Sequence, residues 1–207
     1  MIPEEGKAEH IITIFQGLYG DIEWWPGDTE EVIIGAVLTQ QTRWANVETA
    51  LERLREAGIS SLRGIEDASD RAVEEAIYST GFYRIKRARL KCVASAVLSC
   101  GGTRKLAGYP TLRLRAFFLA IKGVGPETAD SILCYGFSRP VFVIDSYTHR
   151  ICACAGITLK GARLQELFQR LLPNEHQAHR QCHAWFVEYA KKYCLKKRCE
   201  ECMIPNF

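Results

Sequence analysis

The chain has 207 residues, enough for one compact unit or two small lobes sharing a groove. It is 47% hydrophobic and 25% charged with a net charge of +3, which excludes a disordered chain and leaves bulk charge silent about a nucleic-acid partner. No apolar run approaches the roughly 20 residues that cross a bilayer, and the acidic start MIPEEGKAEH lacks signal-peptide form, so a cytoplasmic protein without a membrane partner is expected. Nine cysteines in a reducing compartment suggest metal ligation for some and burial for others rather than a disulfide scaffold.

Apolar spacing is helical nearly throughout, and no alternating strand pattern stands out. Ile11, Ile14, Phe15 and Leu18 form a first stripe ended by Gly20. Val32, Ile33, Ala36 and Val37 form a second; Val47, Leu51 and Leu54 form a third ended by Gly58. Further helical patterns fall near 71–78, 84–98, 112–121, 127–137, 146–154, 163–171 and 178–193. VFVID is the sole β-branched candidate. Cys92, Cys134, Cys152 and Cys154 lie among apolar helical residues and read as small core residues. Arg84, Lys86, Arg87, Arg89 and Lys91 make one basic run; Lys191, Lys192, Lys196, Lys197 and Arg198 make another. Each reads either as a solvated helix face or as a set of phosphate-backbone contacts.

Leu119–Arg150, LAIKGVGPETADSILCYGFSRPVFVIDSYTHR, is the most informative stretch. Gly123, Val124 and Gly125 join two helical patterns, and glycine reaches positive φ without steric cost. Pro126 follows at a first-turn position, where its missing N–H is harmless. Bare amides at a helix start attract phosphate, although a plain connection has the same spelling. Downstream, Asp145 ends the apolar run. It reads as a helix N-cap or as a catalytic carboxylate, and the two roles are compatible.

These residues resemble the endonuclease III superfamily of DNA glycosylases, with its helix-hairpin-helix, Gly/Pro-rich loop and downstream aspartate. Ile121, Gly123, Val124, Gly125, Thr128 and Ala129, then Val143, Ile144, Asp145 and Ser146, match that pattern. GAVLTQQTRWAN at 35–46 resembles its DNA-inserting loop, GFYRIKRARL at 81–90 its Gly-x-Tyr-x-x-Lys-Ala element, and HAWFVEYAKKYC at 183–194 the approach to its iron–sulfur loop. The likeness covers about residues 8–202. It implies an all-α, two-lobed fold: a six-helix barrel at 29–137, and a second lobe from 1–28 plus 138–207, with double-stranded DNA carrying a damaged base in the groove between them and a monomer in solution. It also implies Asp145 as the catalytic carboxylate. Gly123, Val124, Gly125 and Thr128 would hold the DNA strand, and Gln41 would enter the gap left by a flipped nucleotide.

One departure stands out. Strand-cleaving members carry a Schiff-base lysine where this chain has Glu127, and a carboxylate forms no imine. Lys122 precedes the turn, outside the matching slot. A monofunctional glycosylase without lyase activity is therefore expected. Glu127 faces the base pocket or simply favours a helix start.

Trp24, Trp25, Pro26 and Trp44 suit either a stacked, everted base or core packing. With Glu127 in the lysine slot they resemble the 3-methyladenine glycosylase branch. That branch implies Trp24 and Trp44 as the two faces of a sandwich, with Trp25, Pro26 and Glu127 nearby and alkylated purines as substrates. Oxidised, deaminated or mismatched bases are the alternative range, and a noncatalytic DNA-binding module is the alternative class. Cys194-x4-Cys199-x2-Cys202 resembles the family's [4Fe–4S] loop, with a shorter first gap and no fourth cysteine in register. Cys182 aligns with a non-ligand, so a cluster and a vestigial loop both stay open.

Overall fold

The structure, a computed structural model, describes residues 4–25 and 27–204. Those residues hold α-helices, short 3-10 and π turns, and no strand, so the all-α expectation holds. VFVID takes neither helix nor strand. The chain divides into two compact units, Met1–Pro26 with Ser138–Phe207, and Gly27–Phe137.

We number the helices α1 to α12 in chain order. The continuous unit contains α2 (Thr29–Leu38), α3 (Trp44–Glu56), α4 (Leu62–Asp67), α5 (Asp70–Ile77), α6 (Tyr83–Ser99), α7 (Gly102–Ala107), α8 (Thr111–Leu119) and α9 (Pro126–Ser131). Its central element is α2. Every residue from Val32 to Leu38 is buried, as befits a helix apolar on all sides. Asp28 caps its start, accepting from the Glu31 N–H at 2.9 Å, a bond that orients the helix entry. Ser61 and Ser69 cap α4 and α5 in the same way. Helix α4 and helix α7 lie outside the apolar-spacing pattern, because six residues hold too few apolar positions to show a period. The expected 127–137 helix is α9 followed by a π turn, Ile132–Gly136, on which α2 packs.

The first basic run differs from both of its readings. Lys86 is 1% exposed, and its Nζ donates at 2.8 Å to the carbonyls of Leu38 and Thr80. It therefore ties the end of α2 to the 3-10 turn Tyr78–Thr80. Burial, with the Arg89 charge beside it, pulls its pKa down to about 8. Lys91 donates to the carbonyls of Glu66 and Ala68, Arg87 pairs with Asp70 and Glu74, and Arg89 binds Gln40. Arg84 alone of the five stays largely in solvent. Four of the five cations thus answer a carbonyl or carboxylate within the unit.

The discontinuous unit contains α1 (Glu4–Tyr19), α10 (Ser146–Cys154), α11 (Gly161–Leu171) and α12 (His176–Tyr189), followed by a π turn at Ala190–Cys194. Its core joins Ile11 and Phe15 of α1, Phe142, Phe168 of α11, and Phe186 and Tyr189 of α12. The rings of Phe15 and Phe186 meet edge to face at 5.0 Å. Leu18, from the first apolar stripe, is 42% exposed. Of the four cysteines expected in a core, Cys134 and Cys152 are buried; Cys92 and Cys154 are exposed, since each sits on the solvent side of its helix. The hydrogen-bonded lysine gives a direct test of the continuous unit. Lys86→Met keeps the volume but leaves two buried carbonyls without a donor, at a cost of about 2–4 kcal/mol. Urea unfolding measures it; a loss under about 1 kcal/mol would contradict the structural role.

Candidate active site

Asp145 is the N-cap of α10. Its Oδ1 accepts from the Thr148 N–H at 2.7 Å and from the Thr148 hydroxyl at 2.8 Å. Its Oδ2 stands 3.6 Å from Nε2 of His183, which reaches it from α12. The residue is only 8% exposed. Burial alone would favour the neutral acid; the His183 and Thr148 contacts outweigh it and hold the carboxyl below its ordinary value of 3.8. The cap is thus real, and it leaves one oxygen of a charged carboxylate beside a histidine. Nothing local in the sequence marks His183, because its partner is 38 positions away in the chain and only the packing of α10 on α12 joins them.

Helix α12 also fixes the tryptophan segment. Gln181 exchanges two bonds with the backbone of Ile22, at 2.9 and 2.7 Å. Trp185 Nε1 donates to the Gly20 carbonyl, and Arg180 donates to the carbonyls of Trp24 and Trp25. The Trp24 ring is partly exposed and lies 4.9 Å from the Lys191 ammonium. Trp25 is partly exposed too, with φ of 49°. Pro26 lies outside the described residues. Neither tryptophan is part of the buried core.

The hairpin lies in the continuous unit. Helix α8 and helix α9 are its arms, closed by a bidentate pair from Arg115 to Asp130 at 2.6 and 3.0 Å. Gly123 has φ of +91°, and a Cβ there would fall 2.6 Å from Cγ of Arg89. Only glycine fits both the backbone and the space. Val124 is buried and pins the turn, while Gly123, Gly125 and Glu127 stay exposed. Gln40 ties the turn down, donating at 3.0 Å to the Gly123 carbonyl and to the Thr128 hydroxyl. Arg89 in turn donates to Gln40. Thr128 is buried in that bond and holds the loop from inside.

Beside the turn opens a cavity of about 500 Å³, lined by Gln40, Gln41, Phe82, Arg89, Gly125 and Glu127 among others. Glu127 therefore faces a cavity as well as starting a helix. Gln41 and Phe82 both hold left-handed backbone, with φ of 55° and 46°. Gln41 is exposed, and Phe82 is 62% exposed. Phe82 thus presents an apolar ring to solvent in the cavity wall. Trp44 begins α3 and is partly exposed. In the tail, Cys194 and Cys202 are half-buried and Cys199 is exposed.

Two features define the class of protein: a glycine hairpin built to present its turn, and a buried carboxylate kept charged. A family model for the HhH-GPD superfamily of base excision DNA repair proteins matches residues 34–174, and the chain belongs to that superfamily. It is 39% identical, over 99% of its length and 98% of the relative's, to the protein of Methanocaldococcus jannaschii named "Putative DNA repair glycosylase MJ1434". It is 28% identical to endonuclease III of Thermotoga maritima, over 86% of this chain and 82% of that one. Among solved structures, H. pylori 3-methyladenine DNA glycosylase, bound to 1,N6-ethenoadenine, superposes with a TM-score of 0.80 at 27% identity, covering 89% of this chain and 97% of that one. An endonuclease III–DNA complex gives a TM-score of 0.81 at 17% identity, a likeness of fold. No helix among the described residues is long and apolar enough to cross a membrane.

The carboxylate has a signature in acid. Its folded pKa is depressed, so its stabilisation is complete above the ordinary value and is lost as pH falls through the folded one. Urea unfolding should therefore show wild-type stability dropping below about pH 4, with a smaller drop in Asp145→Asn. Identical acid profiles would contradict the charged cap.

Proposed function

We propose that the chain is a monofunctional DNA glycosylase that removes alkylated purines, 3-methyladenine chief among them, from double-stranded DNA. The observation that carries this reading is the Asp145 carboxylate, buried yet ionised, with Oδ2 left toward His183.

Breaking an N-glycosidic bond builds positive charge on the sugar. A fixed carboxylate in a site of low polarity stabilises that charge where it forms. It also orients or deprotonates the attacking water. An N3-alkylated adenine is already cationic and leaves readily, so it needs no general acid. Stacking then supplies selectivity. An exposed tryptophan face attracts a cationic ring by about 0.5–2 kcal/mol, and Trp24 already lies close to the Lys191 cation. Trp44 is the second ring proposed for stacking. Flipping would be supported from the continuous unit: the hairpin turn takes the backbone phosphate, while Gln41 and Phe82 offer an amide and a ring to the space left in the duplex. The H. pylori relative favours the alkylpurine range over oxidised or mismatched bases.

Glu127 supports the absence of a lyase step, since no carboxylate forms a Schiff base. Its place in the cavity wall suits contact with a base edge or a water. Incubation with methylated duplex DNA should release free 3-methyladenine without strand nicks. Release of an oxidised pyrimidine, uracil or thymine from a lesion panel instead would move the substrate range. A borohydride-trapped covalent adduct that disappears in Lys122→Ala would overturn the monofunctional assignment.

A further inference from the structure

The two oxygens of Asp145 have different neighbours, and the difference divides their work. Oδ1 accepts both Thr148 bonds, from the N–H and from the hydroxyl, and so starts α10. A helix N-cap needs one acceptor oxygen, and Oδ1 already supplies it. Oδ2 meets Nε2 of His183 at 3.6 Å instead. That nitrogen comes from α12, so the geometry of α10 does not require the contact. The contact at Oδ2 is surplus to the cap.

His183 is itself held in place. It is 7% exposed, and its ring stands edge-on to Phe142 at 6.5 Å and 84°. Packing against Phe142 asks only for a ring; the nitrogen turned to Oδ2 is a further feature. The other titratable groups near the pair are uncharged in neutral solution. Burial, with the Asp145 charge beside it, pushes the Cys152 thiol of α10 up to about 12. Burial also pushes up the Cys182 thiol of α12. His179, one turn before His183, is bonded to the Pro173 carbonyl, and burial lowers its pKa. Helices α1 and α11 reach this core through Ile11, Phe15, Leu167 and Phe168, all apolar. Of the side chains that shift the Asp145 carboxyl, His183 is the one able to carry a positive charge.

We propose that His183 is a positioning residue for base release, fixing Oδ2 of Asp145 for the sugar while Thr148 holds Oδ1 for the helix. The proposal rests on the glycosylase reading, in which this carboxylate faces the developing sugar cation. A carboxylate held at one oxygen can still tilt about that anchor. Partners on two helices fix its plane, and a misplacement of about 1 Å costs a rate on the order of a hundredfold. The same contact favours the ionised form against burial. Loss of the imidazole therefore raises the pH at which the carboxyl takes up a proton, and activity disappears earlier as pH falls.

Two substitutions test this. His183→Phe keeps a ring against Phe142 and removes the nitrogen; His183→Gln restores a polar nitrogen at similar reach. Single-turnover base release from methylated duplex DNA at neutral pH should fall about tenfold or more in His183→Phe, with duplex affinity unchanged, and recover in His183→Gln. The acid limb of the pH–rate profile should move to higher pH in His183→Phe and back toward wild type in His183→Gln. A merely structural role would lower the folded fraction, followed by circular dichroism, without moving that limb. The shift is also read without activity, by carbon-13 NMR titration of the Asp145 carboxyl, assigned with Asp145→Asn. His183→Leu replaces His183→Phe if the latter does not fold. A wild type that releases no base from any lesion would remove the glycosylase reading, and the role in base release with it. Asp145 titrating alike in wild type and His183→Phe would overturn the role of His183 alone. So would base release in His183→Phe with the wild-type rate and acid limb.

Discussion

A charged carboxylate inside a protein is costly, and the discontinuous unit is organised around keeping one. Asp145 is nearly closed off from solvent, yet its surroundings favour ionisation. Two bonds from Thr148 satisfy one oxygen, and His183 approaches the other. Hydrogen bonds to a charged group contribute about 1.5–3 kcal/mol each, enough to offset desolvation only if the donors are fixed. Fixing them is the task of α10 and α12. The cap aligns Thr148 by helix geometry. The core of Phe142, Phe168 and Phe186 sets the position of α12, and hence of His183. The same α12 clamps the segment that carries Trp24 and Trp25.

The continuous unit solves a different problem, presenting a glycine turn rigidly. The chain Arg89 to Gln40 to Gly123 and Thr128 immobilises the turn from below. Arg115 and Asp130 lock the arms. Lys86 secures the end of α2, two residues before Gln40. Lys86, Arg87, Arg89 and Lys91 thus act as internal ties. What they release to the surface is the turn itself, with Gln41 and Phe82 in left-handed backbone beside it.

The helices and the hairpin were legible because their signals are local: apolar period, capping residues and a Gly-x-Gly spelling. Asp145 was legible through its place after an apolar run, and the structure shows the N-cap while leaving room for the chemical role. His183 and Phe82 were not. Each owes its meaning to a partner distant in sequence or to a backbone conformation, and neither appears in residue spacing. The basic run misled for a related reason. Five cations on one stretch read as a solvated face or as phosphate contacts until the carbonyls and carboxylates that four of them meet are known. Cys92 and Cys154 failed as core residues because an apolar neighbourhood in sequence does not say which side of a helix is buried.

The central claim is that one ionised carboxylate carries the reaction while the rest of the chain binds and positions DNA. Asp145→Asn tests it most directly, because the amide keeps the shape and removes the charge. Base release measured in single turnover with enzyme in excess, beside duplex affinity, separates the two functions. The account predicts release abolished and affinity within about tenfold of wild type, a difference of ~1.4 kcal/mol. Turnover retained in Asp145→Asn at the wild-type rate would contradict it.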